Sequence, residues 1–123
     1  MAALADACDY LVLDGLAELT LAILQKERQR DETGGWVRDL IAHADQFLPA
    51  VIEGRVKVIT NGGGLNPISA GRAIADRARQ FGQPINVATV VGDVIRGLLP
   101  QLEARGRRVR PACGHRASPP ATE

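Results

Sequence analysis

The spacing of apolar positions changes several times along this chain, and each change marks an element. Residues 9–14, DYLVLD, form a short apolar run that suits a strand buried on both faces. Residues 2–8, AALADAC, read as the end of a helix leading into it, and Gly15 breaks it. Leu16, Leu19 and Ile23 then recur at helical spacing, with a second row at Leu21 and Leu24. That helix must stop inside the charged stretch 25–35, which ends in two glycines. Trp36, Val37, Leu40, Ile41, Ala44, Phe47, Leu48, Val51 and Ile52 make one apolar stripe, the clearest helical signal in the chain. Pro49 falls inside it and predicts a kink or a restarted last turn, and Gly54 ends it.

Val56, Lys57, Val58, Ile59 and Thr60 are mostly β-branched and predict a second strand. A turn, Asn61-Gly62-Gly63-Gly64-Leu65, follows. Asn66 suits an N-cap and Pro67 the first helical position. Ile68, Ala70, Ala73, Ile74, Ala78 and Phe81 give the next helix a narrow apolar face, with Arg72, Asp76, Arg77 and Arg79 as its solvated side. Gly82 and Pro84 mark its end. Residues 85–91, INVATVV, predict a third strand, ended by Gly92 and Asp93. Val94, Ile95, Leu98, Leu99 and Leu102 fit a last helix, weakened by Gly97 and Pro100.

Alternating strands and helices argue an α/β protein: a Rossmann-like three-layer fragment with a short parallel sheet of about three strands and flanking helices. All of these strands read as interior strands, yet such a sheet has only one interior position. The chain is therefore expected to self-associate, to pair with another subunit, or to lack strands that a longer relative has. Residues 1–104 form the expected α/β domain, and residues 105–123 a basic tail without periodicity, expected to be disordered.

A chain of 123 residues supports one domain. The net charge of +1 and the scattered aromatics Tyr10, Trp36, Phe47 and Phe81 give no footing for nucleic-acid binding. Cys8 and Cys113 lack metal-ligand spacing and read as thiols of a reducing compartment. With no signal peptide and no apolar run of membrane length, the expectation is a cytoplasmic protein.

The candidate chemistry lies where the strands end. A glycine-rich turn that feeds a helix presents backbone N–H groups, which favour an anion such as phosphate or carboxylate. Thr60, Asn61, Gly62, Gly63, Gly64 and Asn66 are the candidate ligand-binding residues. The spacing G-G-G-x-N-P matches neither a dinucleotide fingerprint nor a P-loop. Asp14, Glu18 and Asp93 are the candidate catalytic residues, with the oxygens for acid–base work or for holding Mg²⁺. The plainer role of Asp14 and Asp93 is to cap the helices that follow them. His43 sits on the polar flank of its helix and His115 in the tail, neither placed as a catalytic base. No dedicated metal site and no cofactor can be named.

Four blocks carry a family resemblance: DYLVLDGLAELTLAIL (9–24), GGWVRDL (34–40), VKVITNGGGLNP (56–67) and INVATVVGD (85–93). In order and spacing they resemble the acyclic terpene utilisation, or AtuA-like, family of bacteria. By position, the resemblance places Asp14 and Glu18 in the family's first motif, and Thr60, Asn61, Gly63, Gly64, Asn66 and Pro67 in its glycine loop. Gly92 and Asp93 match its strand-end motif. Gly62 stands where alanine is more usual, and Val94 where a second acidic residue is common. The family is longer than this chain and the basic tail does not resemble its continuation, which implies a fragment. The resemblance implies a part in acyclic terpenoid and acyl-CoA-linked catabolism, with acyl-CoA or a carboxylate as ligand. A non-catalytic α/β interaction module and an inactive truncated product are the alternatives, and the sequence does not decide whether the chain is an enzyme.

Overall fold

The computed structural model describes residues 7–92 and 95–107. Asp93, Val94, Cys113, His115 and the tail from residue 108 lie outside the described residues, as does most of the predicted N-terminal helix end. The chain divides into two units, residues 1–91 and 92–123.

In the first unit, two short aliphatic segments pair in parallel: β1, Tyr10–Leu13, and β2, Lys57–Thr60. Tyr10 lies opposite Lys57, and Leu13 opposite Thr60. Helices α1, Glu18–Arg30, and α2, Asp39–Ile52, lie between the strands in sequence, and α3, Pro67–Gln80, follows β2. Alternation along the strands turns Leu11, Leu13 and Val58 toward one face. There they meet Ala44, Phe47 and Leu48 of α2 and Ile74 and Ala78 of α3. Leu48 and Ala78 are fully enclosed. A second cluster joins Trp36 and Leu40 to Ala70. The buried Trp36 donates its indole N–H to the Thr33 carbonyl at 2.9 Å, and the Arg38 guanidinium lies over its ring.

The strands are not buried on both faces. Tyr10, Val12 and Ile59 are 55%, 67% and 54% exposed, because α2 and α3 both pack on the opposite face. Helix α1 buries only Leu24 and leaves Leu19 and Ile23 in solvent. The predicted third strand also differs. The described sheet has two strands, and residues 85–91 have no ladder partner. Ile85 packs on the core, but Val87 and Thr89 then cross Gly71 of α3. A Cβ at Gly71 would sit 2.7 Å from the Thr89 methyl. β-Branched composition supplies a local preference; a ladder needs a neighbour, and this segment passes over a helix instead.

The predicted stripe helix begins later than its pattern, at Asp39, because Trp36 is held in the preceding turn. Pro49 is accommodated inside α2 near its end, and the Glu53 N–H bonds back to the Pro49 carbonyl. In the second unit, a 3-10 turn at Arg96–Leu98 leads into α4, Leu99–Ala104, with Pro100 in its first turn. Pro100 thus starts the helix that it seemed to weaken.

Arg77 is more than a solvated side chain. It grips Asp45 across the α2–α3 contact through two bonds, Nε to Oδ1 at 2.6 Å and Nη2 to Oδ2 at 2.7 Å. Hydrogen bonding to Arg77 holds the Asp45 carboxyl below its ordinary range. A carboxylate with a lowered folded-state pKa stabilises above its unfolded value, and that contribution is lost as pH falls through the folded value. Thermal melts of wild type and Asp45→Asn should therefore differ at neutral pH and converge as pH drops below about 4. A gap that persists at low pH would show that the pair does not act through charge.

Candidate functional site

The glycine turn is built from its helix backwards. Asn66 caps α3 by accepting the Ser69 N–H at its Oδ1. Its amide nitrogen donates to the carbonyls of Glu32 and Gly34. The residue that starts α3 therefore also fastens the turn at 31–36. In that turn, Asp31 accepts the hydroxyl and N–H of Thr33, which with nearby Arg38 lower its pKa. The Arg28 guanidinium donates to the Leu65 carbonyl and ties α1 to the same place.

Most of the amides in the loop are engaged within the fold. Gly62 N–H donates to Thr60 Oγ1, Gly64 N–H to the Asn61 carbonyl, Leu65 N–H to the Gly35 carbonyl and Asn66 N–H to the Gly63 carbonyl. Of the three glycines only Gly64 has a positive φ, at 51°. The others are small for packing reasons. A Cβ on Gly63 would lie 2.9 Å from Pro67, and one on Gly62 3.2 Å from Thr60 Oγ1. The run is a packing joint between the 34–36 turn and α3 more than an open cradle of N–H groups.

The polar groups at the strand ends meet elsewhere. Asn61, just after β2, bonds both ways to the residues just after β1. Its Oδ1 accepts the Gly15 N–H at 3.0 Å, and its Nδ2 donates to Asp14 Oδ1 at 2.6 Å. This ties the carboxyl ends of the two strands together. Beside the tie opens a cleft of about 360 Å³ lined by Val12, Leu13, Asp14, Gly15, Val37, Leu40, His43, Thr60 and Gly62. Val12, Leu13, Val37 and Leu40 supply its aliphatic lining, and Asp14, His43 and Thr60 the polar groups.

The structure thus brings Asp14, Thr60 and Gly62 to one cleft, with Asn61 bonded to Asp14. Gly63, Gly64 and Asn66 are not in that lining. Nor is Glu18, the exposed first residue of α1. Asp14 caps no helix: α1 begins after Ala17, which makes no side-chain cap. Sequence reasoning passed over His43, which lines the cleft three positions after Leu40 on α2. The available signal was that spacing, since residues three apart share a helix face and Leu40 belongs to the buried stripe. Among the described residues no group of three or more His, Cys, Asp and Glu side chains is gathered as a metal ion requires. No helix among them is long and apolar enough to cross a membrane.

These features define an α/β protein with a cleft at the carboxyl edge of a short parallel sheet. The model of the acyclic terpene utilisation family protein AtuA matches residues 1–119, and the chain belongs to that family. The match runs past the recognisable blocks, which end at residue 93, and takes in the basic segment that they had left outside the resemblance. No curated protein and no solved structure matches the chain.

Proposed function

We propose that this chain forms a small-molecule site for acyclic terpenoid or acyl-CoA-linked catabolism, and that the site is the cleft at the strand ends. Family membership supports the acyclic terpenoid part of this reading. The single observation that carries the site is that Asp14, His43 and Thr60 line one cleft together with Val12, Leu13, Val37 and Leu40. A hydrocarbon body and a polar head find matching surfaces there. In the acyl-CoA form of the reading, the acyl chain takes the aliphatic wall. The glycine loop contributes Gly62 to the cleft lining, and most of its amides bond within the fold. In this reading Asp14, hydrogen-bonded by Asn61, is the candidate for proton exchange with a bound head group.

The test is amide chemical-shift mapping of the full chain with citronellol and with citronellate. Shifts concentrated at residues 12–15, 37–43 and 60–62 are expected. The absence of shifts there with either compound would refute the cleft as the site.

A further inference from the structure

The tie between the strand ends joins two dipeptides that share one latent chemistry. Asp14-Gly15 and Asn61-Gly62 each set a short carboxyl or amide side chain directly before a glycine. Without a Cβ, the glycine backbone can bring its nitrogen close to that side chain. At Asn61, the Gly62 nitrogen attacks Cγ. The N–Cγ bond forms, the Cγ–Nδ2 bond breaks, and ammonia leaves with the Gly62 amide proton. Water then opens the cyclic imide at either carbonyl and leaves aspartate or isoaspartate. At Asp14, the Gly15 nitrogen closes the same ring on the protonated carboxyl with loss of water, and hydrolysis returns aspartate or isoaspartate. The other asparagines are poorly placed for this. Asn66 precedes Pro67, whose nitrogen carries no proton, and Asn86 precedes the β-branched Val87.

In the fold both attacking nitrogens are engaged, and the two side chains under attack are bonded to each other. The Gly15 N–H donates to Asn61 Oδ1 at 3.0 Å, and the Gly62 N–H to Thr60 Oγ1 at 3.0 Å. Asn61 Nδ2 donates to Asp14 Oδ1 at 2.6 Å. Asn61 is exposed, so these bonds restrain it where burial does not. We infer that the tie is a lock on two modification sites: it holds Asn61 and Asp14 out of imide formation, and its opening commits Asn61 to deamidation. The product cannot restore the lock. The nitrogen that donates to Asp14 becomes a carboxylate oxygen, and two carboxylates in that position repel. The lock does not depend on the cleft holding a ligand.

The experiment incubates the full chain at mildly alkaline pH, native and in guanidinium chloride, and follows deamidation of Asn61 by peptide mass spectrometry. Isoaspartate at positions 14 and 61 is read from the separated peptides. Asn61 is expected to convert about tenfold or more slowly in the native chain than in denaturant, with Asn86 slow in both. Asp14→Ala removes the acceptor of Asn61 Nδ2 and should bring the native rate close to the denatured one, in a chain that circular dichroism shows to be folded. Thr60→Val frees the Gly62 N–H and leaves the Asn61–Asp14 bond, so it should also speed the native reaction; it serves if Asp14→Ala does not fold. Equal Asn61 rates for wild type in the two conditions would overturn the lock, and that comparison needs no variant. A folded variant that deamidates as slowly as wild type would overturn it too, since the bond removed would then not be a restraint.

Discussion

Gly64→Val should come close to unfolding this chain. The position has φ 51°, where a β-branched residue is strained, at about 1–2 kcal/mol. It is also crowded: a Cβ would stand 2.6 Å from Leu24 Cδ1 and 2.9 Å from the Gly35 carbonyl oxygen. The only residue that α1 buries would have to move, and overpacking adds about 1–3 kcal/mol. Together these amount to roughly 2–5 kcal/mol, against the 5–15 kcal/mol typical of a whole domain. A small unit with a two-stranded sheet belongs at the low end of that range. Urea unfolding followed by circular dichroism reads the effect. Gly54→Ala is the comparison, because Gly54 has a φ of 73° but no atom within 4 Å of its added Cβ. It should cost about 1 kcal/mol, from backbone conformation alone. Equal midpoints for the two variants would mean that the joint at Gly64 is loose.

That result bears on what the glycine run is for. Three glycines between a strand and a helix were legible, as were the Asn66 cap, Pro67 in the first turn of α3 and Gly82 after it. All of these depend on neighbours in sequence, so the local code suffices. Which glycine is left-handed was not legible, because that is set by Leu24 and Gly35, far away in the chain. Gly63→Val, an obvious probe of an anion loop, would press on Pro67 and report on folding rather than binding.

The same distinction separates the other outcomes. The Trp36-to-Ile52 stripe marked the core correctly because helical periodicity and burial coincide there. The 85–91 segment carries the composition of a strand, but pairing is a tertiary fact that composition does not contain. Arg77 and His43 sat on polar flanks, and polarity alone does not say which flank meets another element. Asp45 on α2 pairs with the first, and the second lines the cleft at the strand ends. The Asn61–Asp14 tie joins residues from two strands, so no spacing within one motif announces it.

The uncovered sheet face yields the other large expectation, that the chain self-associates. Parallel sheets are ordinarily covered on both faces, and this one leaves Tyr10, Val12 and Ile59 exposed, with neither outer strand edge paired among the described residues. A large apolar side chain stabilises an interface by about 1.5–3 kcal/mol when fully buried, so a few together offset an association cost at the low end of about 4–15 kcal/mol. Lys57, the remaining outward side chain, lies against the Tyr10 ring and so screens little of Ile59. Sedimentation velocity at about 10–50 µM should show species larger than the monomer. Ile59→Lys should shift the equilibrium toward monomer by about tenfold or more, since it sets a charge at the centre of any interface on this face. Ile59 is outside the cleft lining, so the variant should keep its citronellol-induced shifts. If ligand shifts and association were lost together, the cleft would require a second chain to be complete. If the wild-type chain is a single monomeric species at these concentrations, self-association is wrong, and the apolar face needs a different protein to cover it.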